Sequence, residues 1–165
     1  MSVWRRVQAR SDAWLRSQYA TGQAAPTARR LAKLWAAVFS WGLAPRRWHC
    51  LEVRGRKSGM LRRFPIGLAD LDGRWYAVSM LGECAWTRNV QAAGGEAVLR
   101  HGKAHRVRLV PVPAADRPAI IKTYLAQVPG GRPHIHVPYT APVEDFVPVA
   151  AQVPVYAVEG LRPPG

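Results

Sequence analysis

The chain has 165 residues, a length typical of one compact domain with an appendage. Its 48% hydrophobic content is that of a folding chain, and its net charge of +14 favours anionic partners: nucleic acid, an anionic membrane surface, or a small molecule carrying phosphates and carboxylates. No apolar run reaches the roughly 18 residues of a membrane span, and the N-terminus lacks the apolar core of a secretory signal.

The N-terminal region is basic and helical in pattern. Residues 1–47 carry nine Arg and Lys against the single Asp12. Trp4, Val7, Trp14 and Leu15 recur at helical spacing, which predicts an amphipathic helix over residues 3–20; a second helix is predicted from Pro26 to Gly42. We therefore expect a helical extension over residues 1–45. It packs on the rest of the chain or at a dimer interface, or it lies on an anionic membrane surface.

From Trp48 onward the pattern changes to strands and turns, which predicts a second unit over residues 46–165. Strands are predicted at 48–54, 62–71, 74–81 and 154–160, with two more over 96–112 around a turn at Gly102; helices are predicted at 85–95, 113–127 and 141–152. Asp72-Gly73 is a hairpin turn signal. Successive hairpins with helices inserted late predict an antiparallel barrel with peripheral helices rather than a parallel sheet.

The segment LEVRGRKSGMLRRFPI, residues 51–66, concentrates positive charge around one tight turn. Five cations lie within ten positions: Arg54, Arg56, Lys57, Arg62 and Arg63. The turn's two glycines permit tight backbone geometry, and its exposed amides and the Ser58 hydroxyl can bind anion oxygens. Because strand side chains alternate, Arg62 and Arg63 point to opposite faces, so only one can reach the same ligand. The alternative is a solvated hairpin turn whose charges serve solubility.

A second candidate site is SMLGECAWTRNVQAAGG, residues 79–95. A strand ends in a glycine turn and leads into a helix whose first turn holds Trp86, Arg88 and Asn89. The free amides of such a helix start favour negative charge. The alternative is that Trp86 and Val90, four residues apart, simply pack the helix onto the barrel.

The other reactive side chains form no recognisable machinery. Cys50 and Cys84 are expected to be reduced core residues. The pair His134 and His136 lacks further ligands at a convincing spacing, so we expect no metal site. His101 and His105 flank a predicted hairpin turn and are expected at the surface. No GxSxG elbow is present, and the adjacent Glu144 and Asp145 are interpreted as helix-terminus charges rather than a catalytic pair. The catalytic residues stay unknown.

Taken together, these segments resemble the deazaflavin-dependent nitroreductase family, split β-barrel oxidoreductases that use coenzyme F420. The match consists of the GRKSG turn, the following Arg62 and Pro65, and the later Trp86, Asn89 and Val90, in the family's order. It covers about residues 46–160. The resemblance implies a mainly β fold with peripheral helices (α+β), a split β-barrel of the FMN-binding type with an N-terminal helical extension.

The resemblance also implies a cofactor site. The phosphate and oligoglutamate tail of coenzyme F420 would lie along the cationic turn and the next strand, with the ring near Ser79 and the helix that follows. The implied contacts are Arg56, Lys57, Ser58, Arg62, Pro65, Met80, Leu81, Gly82, Trp86, Arg88 and Asn89. FMN is the less favoured cofactor. Because the cofactor carries the hydride chemistry, the lack of catalytic side chains is consistent with this expectation.

The expected function is hydride transfer from the reduced deazaflavin to an electrophilic apolar acceptor: a quinone, an enone or a nitro compound. The first alternative is a binder or carrier of the coenzyme, or of a related anionic flavin-type ligand, without turnover. A basic nucleic-acid module is disfavoured because the tryptophans sit at helical or strand-core spacing. The two reduced cysteines predict a cytoplasmic protein, with peripheral association at the inner face of the cell membrane as the alternative location. A homodimer is expected by analogy.

Overall fold

The computed structural model describes residues 26–164 of the chain. The strands are β1 Trp48–Arg54, β2 Leu61–Leu71, β3 Arg74–Val78, β4 Glu96–His101, β5 Lys103–Pro111 and β6 Val155–Glu159. The α-helices are α1 Pro26–Ser40, α2 Ala85–Ala92, α3 Arg117–Gln127 and α4 Val147–Ala150; short 3₁₀ turns occupy Ala114–Asp116, Pro129–Gly131 and Val143–Phe146. The helix predicted at 3–20 lies outside the described residues, and the division at residue 45 stays a prediction.

The six strands form a closed antiparallel barrel in the order β1-β2-β3-β6-β5-β4, which confirms the predicted α+β barrel. Two tight hairpins set its register. The β2–β3 turn places Asp72 and Gly73 at φ of 54° and 68°, the left-handed pair that matches the strand twist. The β4–β5 turn is closed by Gly102 at φ 71°. Both turns are therefore encoded by residues that tolerate this conformation.

Apolar residues fill the barrel and a second layer outside it. Alternate strand residues, among them Leu51, Leu99 and Leu109, form the barrel interior together with Val90 of α2. A second cluster lies between the outer surface of the barrel and α3; its fully buried members include Ile121, Leu125 and Phe146. The helices thus cover part of the barrel wall while α2 contributes to its core.

The barrel is split along β2. Residues 61–67 of this strand pair with β1, whereas only Leu68–Leu71 pair with β3. The strand predicted at 74–81 ends earlier, at Val78. Ser79 lies opposite Pro154 in the register with β6, and Pro154 accepts the Ser79 N–H but has no N–H to continue the ladder. The chain then turns, with the Gly82 N–H donating to the Ser79 carbonyl. Within residues 26–164, the first half of β2 therefore has one strand neighbour only.

Helix α1 packs one face on the barrel and leaves the other exposed. Ala36 and Phe39 bury Cys50 against the outside of β1, which confirms a buried position for this cysteine. The opposite face exposes Leu34 and Trp35, and Trp41 follows with 73% of its surface accessible. Trp35 is exposed although it occupies an apolar position of the helical pattern, because a helix packed by one stripe leaves its other side to the solvent.

Three further expectations need correction. Cys84 is half-buried at the start of α2 rather than in the core. His101 and His105 are half-buried rather than exposed, because alternation turns both toward the barrel, and His101 Nδ1 lies 2.9 Å from the Trp48 carbonyl oxygen. The helix predicted at 141–152 divides into a 3₁₀ turn and the four-residue α4.

None of the helices within residues 26–164 has the length and hydrophobicity needed to cross a bilayer.

Close packing at Gly67 supports a stability prediction. A Cβ at this position would lie 2.8 Å from Val128 Cγ1 and 2.9 Å from Trp48 Cζ3. We expect Gly67→Ala to lower the free energy of unfolding by about 1–3 kcal/mol through overpacking. Gly130→Ala is the matched control, since its Cβ would meet no atom within 4 Å. Urea unfolding measures the midpoints of the two variants. Equal midpoints would show that Val128 and Trp48 move enough to make room for the added methyl group.

Candidate functional site

The cationic turn is a single hydrogen-bonded loop between β1 and β2. The Gly55 N–H donates to the Met60 carbonyl at 2.8 Å, and the Gly59 N–H donates to the Gly55 carbonyl at 2.7 Å. The second bond spans four residues, so Arg56, Lys57 and Ser58 form one helical turn. Gly59 ends it at φ 67°, a conformation that strains other residue types.

This turn offers donors to an anion. The N–H groups of Lys57 and Ser58 donate to no other described residue, and they are the leading amides of the helical turn. Successive amides in such a turn form an anion-binding concavity. The side chains of Lys57 and Arg62 are exposed beside it. The donor set therefore fits a phosphate or carboxylate group, the chemistry that the resemblance requires of this segment.

The two arginines at the start of β2 have different roles. Arg62 stands opposite Val53 and is exposed on the face that continues into the barrel interior at Phe64. Arg63 is on the other face, where its Nε donates to Glu52 Oε1 at 3.1 Å. This confirms that only one of the pair is available at the turn. Among the described residues, Arg62 is the one of the two that has no ion-pair partner.

Glu52 neutralises the outer face of β1. It is 4% exposed and lies between Arg63 and Arg100, whose Nε and Nη2 donate to its two oxygens at 3.0 and 3.2 Å. The hydrogen bond from Arg100 is the main cause that holds the pKa of Glu52 below its usual value. Sequence reasoning missed this ion pair, because its partners come from three strands.

The second candidate segment forms the loop Ser79–Cys84 and helix α2. The Ser79 hydroxyl donates to the Gly82 carbonyl, and Gly82 has a φ of 70°. Cys84 begins the helix: its N–H donates to Thr87 Oγ1, and that hydroxyl donates back to the Cys84 carbonyl. These bonds shape the loop without using its exposed side chain, Leu81.

The structure brings the turn and α2 together through Asn89. This residue is 4% exposed, and its Oδ1 accepts hydrogen bonds from the Arg56 N–H at 3.2 Å and from Arg56 Nη1 at 3.1 Å. Two segments separated by 33 residues thus meet at one end of the barrel. Of the predicted site residues, Arg56, Lys57, Ser58, Arg62 and Asn89 are grouped here.

The remaining predicted contacts lie around this group in different directions. Trp86 packs its ring against Tyr156 at a centroid distance of 5.6 Å. Arg88 is exposed and faces Glu83, with Nε and Oε2 3.8 Å apart. Pro65, on the outer face of β2, is half-buried. Met80 packs against the outer cluster, with its sulfur 3.7 Å from the Tyr124 hydroxyl.

Two buried tyrosines flank the predicted ring contacts and were not assigned from the sequence. Tyr124 donates toward Met80, and Tyr156 lies under Trp86 and accepts a hydrogen bond from Gln91 Nε2 at 3.2 Å. Burial raises the pKa of both hydroxyls, so each keeps its proton at neutral pH. For Tyr156, the alternation of β6 was the signal that could have placed it inward.

Two clefts in the described part of the chain lie elsewhere. One of about 410 Å³ is on the outer wall of β3, β5 and β6, and one of about 270 Å³ lies between Glu83, Gln91 and Tyr156. The predicted cofactor residues line neither of these two clefts. No three His, Cys, Asp or Glu side chains within residues 26–164 converge as metal ligands.

Comparisons with known proteins add a family match. The model of the family described as F420H(2)-dependent quinone reductase matches residues 18–136. No curated protein gives a significant match.

Several solved structures are similar, all at low identity. An F420-H2-dependent reductase is 18% identical (69% of this chain, 95% of that chain, TM-score 0.45). A domain-swapped dimer is 16% identical (82% and 100%, TM-score 0.46). A putative 5-nitroimidazole antibiotic resistance protein from Bacteroides thetaiotaomicron is 9% identical (74% and 78%, TM-score 0.46).

Proposed function

The chain belongs to the F420H(2)-dependent quinone reductase family, and on that premise we propose that it binds coenzyme F420 at the cationic turn and reduces an apolar electrophile. It is an F420H2-dependent reductase. When bound, the reduced deazaflavin supplies the hydride, and the protein binds, orients and shields it. The quinone, enone or nitro class of the acceptor is part of the proposal.

One observation carries the proposed site. The turn presents the N–H groups of Lys57 and Ser58, which have no acceptor within residues 26–164, with the cations of Lys57 and Arg62 beside them. Arg56 is joined to α2 by its hydrogen bonds to Asn89. Amides and cations together suit a multiply charged tail better than either alone. FMN, which has one phosphate, would leave much of this positive charge unmatched, so it is the less favoured cofactor.

The chain's residues have distinct proposed roles. Those at the turn bind the charged tail, Trp86 gives the ring an apolar wall, and the Met80–Gly82 loop borders it. The residues of the proposed cofactor site are Arg56, Lys57, Ser58, Arg62, Pro65, Met80, Leu81, Gly82, Trp86, Arg88 and Asn89. Leu81 of the Met80–Gly82 loop is 38% exposed beside the proposed ring position, which supports an apolar rather than a charged acceptor.

Coenzyme binding and turnover are tested in two steps. Titration of the purified protein into oxidised coenzyme F420, followed by the coenzyme's fluorescence, measures affinity; we expect saturation at micromolar concentrations. The reduced coenzyme is then offered a quinone, an enone and a nitroaromatic compound, and its reoxidation is followed by absorbance. Absence of binding would reject the proposed cofactor. Binding without reoxidation by any of the three classes would instead identify a non-catalytic carrier.

We also propose peripheral association with an anionic membrane on the cytoplasmic side. Residues 26–47 contain five cations and no acid, and α1 and the segment after it expose Leu34, Trp35, Trp41 and Leu43. Apolar side chains among cations are typical of helices that lie in the membrane interface, where each cation contributes about 1 kcal/mol. Such a position would suit an acceptor dissolved in the membrane.

Vesicle flotation tests the membrane proposal. We expect the full chain to float with phosphatidylglycerol vesicles but not with phosphatidylcholine vesicles, and Leu34→Glu/Trp41→Glu to remain in the soluble fraction. Val143→Glu/Val147→Glu adds the same charge at exposed apolar residues elsewhere and should float normally. Equal flotation of both variants would count against this surface. The homodimer, proposed by analogy alone, is tested by light scattering of the full chain.

A further inference from the structure

Asn89 occupies a special position between the two halves of the proposed site. It is 4% exposed, on the side of α2 that packs toward β1. Its Oδ1 accepts two hydrogen bonds, both from Arg56: one from the main-chain N–H and one from the guanidinium. A single buried amide oxygen therefore holds both the backbone and the side chain of the first residue of the cationic turn.

These two bonds restrain the start of the turn, where the N–H groups that could bind an anion lie. The Arg56 N–H is the first amide of the helical turn, and the next two, of Lys57 and Ser58, have no acceptor within the described residues. Holding the first amide fixes the direction of the following two. The second bond keeps the Arg56 guanidinium over α2 rather than free in solvent, where a long side chain samples many rotamers.

From this geometry we infer that Asn89 is a positioning residue: it acts through Arg56 to preorganise the cationic turn for the anionic tail of the coenzyme. The inference rests on the proposed function for the identity of the ligand, but the tether itself belongs to the free protein. Preorganisation raises affinity because the turn loses its conformational entropy when the protein folds and not when the ligand binds. Asn89 need not touch the coenzyme to affect it.

The chain provides variants that separate this role from a direct contact. Asn89→Ala removes the acceptor. Asn89→Asp keeps an oxygen at Oδ1 but loses the amide donor that a direct ligand contact would use. Arg56→Ala removes the tethered guanidinium, and the double variant closes a thermodynamic cycle. Gln91→Ala is the control on the same helix, because Gln91 bonds to Glu83 and Tyr156 and not to the turn.

The first measurement needs no ligand. Amide hydrogen exchange reports the Arg56 N–H in the free protein, under conditions where the unfolding midpoints show every variant to be folded. We expect exchange at Arg56 to accelerate at least about tenfold in Asn89→Ala, to stay near the wild-type rate in Asn89→Asp, and to be unchanged in Gln91→Ala. A wild-type exchange rate in Asn89→Ala would overturn the tether.

The second measurement is the affinity for oxidised coenzyme F420 by fluorescence titration. We expect Asn89→Ala to weaken binding about tenfold and Gln91→Ala to leave it unchanged. Because Asn89 acts through Arg56, the loss of affinity caused by Asn89→Ala should be smaller in the Arg56→Ala background than in the wild type, so the two losses should not multiply. Multiplying losses, about 100-fold together, would mean that Asn89 contacts the ligand independently and would overturn the inference. If the wild type itself fails to bind, the proposed function falls, and amide exchange alone decides the tether.

Discussion

Replacing Arg56 and Lys57 together by alanine is expected to weaken coenzyme F420 binding by about 30-fold or more. Both side chains belong to the helical turn between β1 and β2, and together they account for two of the five cations around it. Exposed charges contribute modestly one by one, but several acting on one multiply charged ligand add up. The difference in affinity between the variant and the wild type should decrease as the salt concentration is raised, because salt ions screen the attraction between the cations and the charged tail.

A control of equal charge makes this experiment specific. Lys103 and Arg106 are exposed on β5, away from the turn, so Lys103→Ala/Arg106→Ala removes the same two charges from the overall field. Fluorescence titration of both variants against oxidised F420 compares them. We expect the β5 variant to remain within about twofold of the wild type, since distant exposed charges are screened. Equal weakening would mean that net charge alone, and not the turn, attracts the coenzyme.

The stability of the protein is expected to fall as the pH is lowered from 6.5 towards 4, because of His49. This residue is 4% exposed inside the barrel, in edge contact with Trp75, and its Nδ1 makes no hydrogen bond within residues 26–164. Burial lowers the pKa of His49 from 6.5 to about 4. A hydrogen bond with the Arg47 backbone opposes this in part, and the nearby His101 and His105 each lower the pKa by a smaller amount.

The direction follows from proton binding. Between pH 4 and 6.5 the unfolded chain binds a proton at His49 that the folded protein does not, so acid favours unfolding. Above pH 6.5 His49 is neutral in both states and does not lower the free energy of unfolding. Near pH 4, protonation of His49 in the unfolded chain has lowered it by about 3 kcal/mol. Glu52 also has a lowered pKa, but its contribution is lost only as the pH falls below the usual carboxyl range. The window from pH 5 to 7 therefore isolates His49.

Urea unfolding at several pH values tests this expectation. His49→Phe keeps a ring of similar shape without the titrating group, so its free energy of unfolding should change less between pH 5 and 7 than that of the wild type, by about 2 kcal/mol. His136→Phe, at an exposed histidine, should keep the wild-type slope. Parallel slopes for His49→Phe and the wild type would show that His49 is not the responsible group.

Local patterns predicted most of the barrel. Alternating apolar residues identified β1, β2 and the β4–β5 hairpin, and Asp72-Gly73 and Gly102 marked turns that need left-handed backbone. The error at the end of the third strand arose because its partner strand is distant in sequence. Pro154, opposite Ser79 in the register with β6, has no N–H to continue the ladder, and the pattern of residues 74–81 alone cannot show this.

The sequence alone determined which segments alternate, where the chain turns and where the cations gather, because periodicity and turn chemistry act between near neighbours. Only the tertiary structure decided which cations are paired with other protein groups and which are exposed to the solvent. It pairs Arg63 and Arg100 with the buried Glu52, joins Arg56 to Asn89, and leaves Lys57 and Arg62 exposed. These partners come from separate strands and a helix, and such long-range contacts leave no local signal in the order of residues.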